Sequence, residues 1–480
     1  MEAKKSPSDT PETDADGLTW FGAVDLIPGQ PTRIAITTLE RSDDDDAARL
    51  AAIVDTAAGP VANPTLRTRT GEQLDVEVAN LLGEDTTIHW HGLVVDWNQD
   101  GHPRHHIAPG DSRAYSFPVL NRGSLYWYHP HPHGRTASQV YRGVAGLLVV
   151  TDPEDDGVRS SLGVDGGSDE IVVMIRSESP LHGAGEAVRS ATPGDLLTIN
   201  GEVGPRWQVD PGWVRLRLLN GSNSRILLLG CESDSDGPVP TYLLGTDGGL
   251  LEAPLAIEKV FLAPGERIDL ALDTSSRQGQ MIWIISHPLD PLREVSGHGG
   301  HEGHGSGGSD VVAVMATLEI GLGPARPGML PPRLSSLPPS DETAPVRRWD
   351  IELDSHSGAW LIAWNTYDPD RPFRIPARPE LWDLASSEQS MPHPMHLHGA
   401  GFRIVRRVGS PGHVVRHAVD ARGRLPTDLG VKDTVLVWPG ETVRIAVDLR
   451  HPFAAEQHLL YHCHILEHED AGMMADLLIV

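Results

Sequence analysis

Four His-x-His pairs constrain this 480-residue chain more than any other feature. They are "HWHG" (His89, His91), "HPH" (His129, His131), "HLHG" (His396, His398) and "HCH" (His462, His464). In a β-strand, residues i and i+2 project from one face, so each pair aims two imidazoles at one point. Two pairs lie early in the chain and two lie near its end, with the Gly-ended pair leading each time. Eight imidazoles exceed the needs of one ion. They suit a small metal cluster bridging two parts of the fold.

A second repeat sets the architecture. A Pro-Gly pair preceding an acid and an alternating strand recurs as "IAPGDSRAYSF" (107–117), "LAPGERIDLAL" (262–272) and "VWPGETVRIAV" (437–447). A fourth variant, "VDPGWVRLRLLN" (209–220), opens another strand. Alternation after a turn reads as a half-buried antiparallel strand. With 50 glycines and 39 prolines, many short strands are favoured over long helices. The expectation is an all-β chain of three related β-sandwich domains, at 18–153, 154–322 and 346–480. A Pro-rich linker spans 323–345, and the polar, acidic residues 1–17 read as disordered.

The apolar runs are strand-sized, well short of the roughly 18 residues of a membrane span. A net charge of −27 argues against nucleic acid or an anionic membrane as partner. The N-terminus lacks the apolar core of a signal peptide. The compartment stays open between the cytoplasm and, after removal of a leader, the periplasm or exterior.

The chain has only two cysteines, Cys231 and Cys463, so it has no disulfide framework. In "HCHILEHEDAGMM", His462 and His464 face one way and Cys463 the other, toward a separate site. His468 lies five residues after the cysteine and Met473 ten after it, and "HPMHLHG" supplies His393. Two imidazoles, a thiolate and a weak axial thioether form a trigonal copper site for electron transfer. Zinc needs no axial methionine.

The segments "HWHG", "YWYHPHPHG", "HPMHLHG" and "HCHILEHEDAGMM" resemble the four copper motifs of multicopper oxidases, most closely the bacterial laccase-type members. The resemblance covers about residues 18–480 and implies three cupredoxin-like (Greek-key) domains with four coppers per chain. It implies that His393, Cys463, His468 and axial Met473 hold a mononuclear blue copper. His89 and His396 would hold the single copper of a trinuclear cluster. His91, His129, His131, His398, His462 and His464 would hold its binuclear pair. It further implies that single electrons from a small-molecule reductant enter at the blue copper and that the cluster reduces O2 to two waters.

Reducing O2 to water consumes protons, so carboxylates near the cluster are expected. Asp100, nine residues after His91, and Glu469, beside His468, match acidic positions of the family. His298, His301 and His304, in a Gly/Ser/His-rich insertion at 296–310, offer a place for extra metal ions. His102, His105, His106 and His133 read mostly as non-ligands. The expected reductants are phenols or aromatic amines docking on an exposed edge of His393 or His468. The alternative is a metallo-oxidase acting on Cu(I), Fe(II) or Mn(II). Nine methionines with no Met-rich stretch argue against a dedicated Cu(I) site. A non-catalytic scaffold is disfavoured because every ligand position is filled.

Overall fold

The structure is a computed structural model, and it describes residues 18–39, 48–178, 196–289, 312–354, 357–453 and 456–480. The segment 1–17 and the insertion histidines His298, His301 and His304 lie outside the described residues.

Six sheets form three two-layer units, an all-β arrangement of three cupredoxin-like domains. In the first unit, one sheet runs Thr19–Trp20, Gly59–Ala62, Leu50–Thr56, Thr32–Thr38, Gln73–Asn80, Ser112–Pro118. The other runs Ala23–Asp25, Thr65–Arg69, Gly146–Thr151, Ser124–His129, His89–His91. Ile34, Leu74 and Val76 of the first layer share one buried core with Leu66, Trp90, Tyr128 and Leu148 of the second. Alternation produces this: in Gln73–Asn80 the apolar Leu74, Val76 and Val78 turn inward while Asp75 and Glu77 stay partly exposed.

The Pro-Gly repeat has a structural meaning. Each of the three matching turns delivers a strand to the same place. Ser112–Pro118 pairs antiparallel with Gln73–Asn80, which runs parallel to Thr32–Thr38. Arg267–Asp273 pairs antiparallel with Trp213–Asn220, itself parallel to Glu170–Glu178. Thr442–Asp448 pairs antiparallel with Pro379–Ser386, itself parallel to Val346–Leu353. The three turn glycines share one left-handed geometry, with φ of 84° at Gly110, 83° at Gly265 and 73° at Gly440. Only glycine adopts it without a Cβ penalty. In the fourth variant Gly212 sits at φ 142°, a different bend, and its strand takes the neighbouring position.

The units are stitched together without long helices. Among the described residues the longest helix is Pro153–Leu162, with 10 residues. Asp152 caps its N-terminus by accepting from the Asp155 N–H, proline opens it, and Gly163 in the left-handed region ends it. Its buried Asp155 accepts from Arg215, at 2.7 Å, and Arg217 of the middle unit. The Pro-rich run 323–345 carries no helix or strand and is tacked along the middle unit, where Ser335 Oγ donates to the Leu250 and Leu251 carbonyls. An apolar patch joins Trp127 and Leu147 of the first unit to Met174 and Leu219 of the second. Another joins Leu228 and Phe261 of the second to Leu436 and Trp438 of the third. No helix among the described residues is long and apolar enough to cross a membrane.

Candidate copper centre

Two short strands carry the leading histidine pairs. His89–His91 forms the edge of its sheet, beside Ser124–His129, with His91 opposite Trp127 and His89 opposite His129. Between the two imidazoles Trp90 turns into the core, as the two-residue period requires. In the third unit His393–Leu397 lies between Thr434–Val437 and Gln457–Cys463, with His396 opposite His462 and Met395 opposite Cys463. All eight imidazoles of the four pairs are fully buried.

Their nitrogens sort into groups whose members lie within 4.8 Å of one another: His89–His91–His396, His91–His129–His464 and His131–His398–His462. A separate group is His393–Cys463–His468, so Cys463 does face away from its two neighbours. Cys463 Sγ stands 3.4 Å from His393 Nδ1 and 3.7 Å from His468 Nδ1. Met473 is buried in the same core cluster, and its carbonyl accepts from the Cys463 N–H.

The lone pairs provide the test for a metal. His398 Nδ1 donates to Asp100 Oδ2 at 2.8 Å, and His462 Nδ1 donates to the Cys463 carbonyl at 3.0 Å. Both Nε2 atoms are thus left as acceptors, yet they face each other at 3.0 Å. His89 and His396 repeat the pattern. Their Nδ1 atoms donate to the carbonyls of Asp100 and Asp433, and their Nε2 atoms face each other at 3.4 Å. Facing lone pairs need a cation between them, and burial works against a proton in that role. His462 and His468 are pushed down to about 3 by burial. Neutral imidazole is the form that ligates. His91 Nδ1, His129 Nε2 and both His464 nitrogens are buried without a hydrogen-bond partner. Burial likewise pushes the Cys463 thiol far up, so a thiolate there requires a bound cation. The donor set fits copper: imidazoles, one thiolate and a thioether.

Both predicted carboxylates are buried against ligands. Asp100 reaches His89 Nδ1 at 3.1 Å and His398 at 2.8 Å, spanning two of the groups. Glu469 Oε2 lies 3.2 Å from His462 Nδ1, and its Oε1 lies 3.5 Å from His131 Nδ1. Burial raises the Asp100 carboxyl, against the pull of His89, and raises Glu469 strongly, with Asp470 adding to the push. His102 is also buried, but it caps a short turn beside Asp476 and joins none of the ligand groups.

Little of the imidazole edge expected for reductant docking is exposed. His393 has no exposed surface and His468 is only 7 % exposed. Trp360 lies against both, its ring centroid 4.5 Å from that of His393 and 5.1 Å from that of His468, and Ser390 Oγ sits 3.0 Å from His393 Nε2.

Sequence reasoning also missed the support supplied by the ligand-free middle unit. Arg267, two residues after the turn glycine Gly265 of the second Pro-Gly motif, forms a bidentate pair with Asp433 at 2.7 and 2.6 Å. Asp433 Oδ1 accepts from His91 Nε2 at 3.2 Å, and Thr434 Oγ1 sits 3.1 Å from His396 Nδ1. Arg267 Nε donates to the Leu125 carbonyl of the first unit. One guanidinium therefore ties all three units beside the cluster. Lys432 is buried next to it between Asp247, at 2.9 Å, and Glu266, at 3.0 Å. Gly265 lies so near that an added Cβ would come within 3.0 Å of the His464 ring. A signal was present in "VKDTVLVW", where a Lys-Asp pair directly precedes the apolar strand Thr434–Val437. Buried charges need partners.

Fold and site together define a cupredoxin-like copper oxidase with a thiolate site and a polyhistidine cluster. Multicopper oxidase family models match residues 42–155 and 364–480, the two regions that carry the histidine pairs. The chain is 27% identical to the multicopper oxidase mco of Staphylococcus aureus over 428 residues, covering 87% of this chain and 82% of that protein. It is 30% identical to the cell division protein FtsP of Escherichia coli over 435 residues, covering 88% and 84%. The crystal structure of the McoA multicopper oxidase from Aquifex aeolicus superposes with a TM-score of 0.82 at 29% identity, covering 96% of this chain and 98% of that one. A bacterial laccase-like multicopper oxidase, CueO from Ochrobactrum sp., described with oxidase activity towards lignin model compounds, gives 0.74 at 27% identity, covering 95% and 99%. The chain belongs to the multicopper oxidase family, and it is an oxidase.

Proposed function

We propose that the protein is laccase-like: it takes single electrons from phenols or aromatic amines and passes them to O2. The observation that carries this reading is the aromatic cover of the thiolate site, Trp360 against His393 and His468, with no methionine-rich segment in the chain. The Ochrobactrum relative's activity towards lignin model compounds supports the same class of reductant. A complete set of candidate ligands favours catalysis over the cell-division role that the FtsP likeness would otherwise raise.

In this reading His393, Cys463, His468 and Met473 would hold one copper. His89 and His396 would hold a second, and the triads His91–His129–His464 and His131–His398–His462 would hold a third and fourth. When bound, the metals supply one-electron uptake at the thiolate site and four-electron reduction of O2 at the cluster. The protein's own groups do the rest. Cys463 is bonded through one residue of backbone to His462 and to His464, so thiolate site and cluster share a single strand end. Asp100 Oδ2 holds the His398 Nδ1 proton, and the Asp100 carbonyl fixes the His89 tautomer. Glu469, raised by burial, holds a proton beside His462 and His131 for delivery to reduced oxygen.

Oxygen uptake by the copper-loaded protein tests the reading. A phenol such as guaiacol is expected to drive uptake faster than Cu(I), Fe(II) or Mn(II). Uptake with the metal ions alone would replace it with the metallo-oxidase reading.

A further inference from the structure

We propose that Trp360 is the docking platform for the aromatic reductant and sets the preference for planar aromatic donors. The inference rests on the laccase-like reading and deepens it.

His393 is fully buried and His468 is only 7 % exposed, so little imidazole surface is open to a reductant. Ser390 Oγ sits 3.0 Å from His393 Nε2, and the indole of Trp360 lies against both rings. It lies edge-on to His393, at 73°, and is tilted by only 33° over His468. Trp360 itself is half-buried, with its ring against both imidazoles. An aromatic donor stacked there comes within one ring of a copper ligand. Offset-stacked or edge-to-face contact between rings is favourable beyond the area it buries.

The backbone around Trp360 is built as a cover. Trp360–Ile362 is a short edge strand beside Val346–Leu353. Ile362 and Asn365 then exchange two backbone hydrogen bonds around Ala363 and Trp364. Both intervening residues are left-handed, with φ of 49° and 66°. A two-residue loop of this form prefers Asn-Gly, and Ala-Trp pays strain in it. The strained turn presents Trp364 to solvent, 67 % exposed, next to the platform strand in sequence. The chain then returns over the metal loop, where the Tyr367 N–H donates to the Gly472 carbonyl at 2.9 Å. Strain kept in a segment that crosses the electron-entry site marks that segment as functional.

On this platform the phenol gives up one electron and its hydroxyl proton, leaving a phenoxyl radical. The electron passes to the oxidised thiolate site and finally to O2, and the proton goes to solvent.

The test compares two donors by anaerobic stopped-flow bleaching of the blue band in the copper-loaded protein. Guaiacol needs the platform. Hexaammineruthenium(II), a non-aromatic outer-sphere donor, does not. Trp360→Ala is expected to slow bleaching by guaiacol by about tenfold, while Trp360→Phe stays within about threefold of the parent. The ruthenium rate should stay within about threefold in both variants, for want of any stacking term. In the copper-free protein, saturation-transfer NMR with anisole should show ring contacts that Trp360→Ala removes and Trp360→Phe keeps. An unchanged or faster guaiacol rate in Trp360→Ala would overturn the proposal, as would an equal fall for both donors. If the parent bleaches with ruthenium but with no phenol, the laccase-like reading itself fails. If it bleaches with guaiacol and Trp360→Ala does so equally, only the platform fails.

Discussion

At the scale of single residues, two substitutions separate colour from turnover. Cys463→Ser removes the only soft anionic donor and should abolish both the blue absorption and the oxidation of every reductant. Asp100→Asn keeps shape but loses the charge that orients His398 and His89. Outer-shell partners of metal-bound histidines are typically worth about 10–100-fold in activity or affinity. Turnover should fall by that order while the blue band stays, because Asp100 touches no group of the thiolate site. The candidate ligand groups were the most legible part of the chain. Their information is local, in the i, i+2 spacing and the ten residues from Cys463 to Met473. Trp360 was not legible, because nothing in "SGAWLIAW" records that residues 33 and 108 positions further on lie beneath its ring.

At the scale of elements, the Pro-Gly turns were readable for the same reason, since the turn, its glycine and the strand after it are contiguous. The seam between the helix Thr136–Tyr141 and the helix Leu466–Asp470 was not, although it titrates. Ala137 and Val140 pack there on Leu466. Asp470 accepts from the Thr136 and Ala137 N–H groups, and Glu467 accepts from Asn223 Nδ2 of the middle unit. Burial nevertheless raises both Glu467 and Asp470 to about 7. The folded state therefore holds these protons more tightly than the unfolded chain does. Their contribution to stability is complete below the ordinary carboxylate range and is lost as pH rises through about 7. Thermal unfolding of the metal-free protein should show a decline in Tm between mildly acidic and mildly alkaline pH. Glu467→Gln, which cannot ionise, should flatten it. An equally steep decline in the variant would show that other groups control the dependence.

At the scale of the whole molecule, the candidate ligands come from the first and third units, and the middle unit contributes the tie. Arg267 joins Leu125, its own turn at Gly265, and Asp433. Breaking a buried pair from one side leaves the other charge uncompensated, at a cost of about 3–5 kcal/mol. Arg267→Ala should lose stability of that order in denaturant unfolding and lose copper selectively from the cluster, with the blue band retained. Asp433→Ala added to Arg267→Ala should cost less than the two single changes summed, because the orphaned charge is gone. Uniform loss of all copper in the single variant would mean that Arg267 serves the fold alone. No reading along the chain could pair two residues 166 positions apart in different units.

The tie has a kinetic corollary. Metal ions bound between two units, under a clasp supplied by a third, would be released most readily when the seam parts. The rate at which a chelator strips the cluster should then level off as chelator concentration rises, at a ceiling set by how often the seam opens. In that regime the chelator reports on the motion of the protein and not on its own appetite for metal.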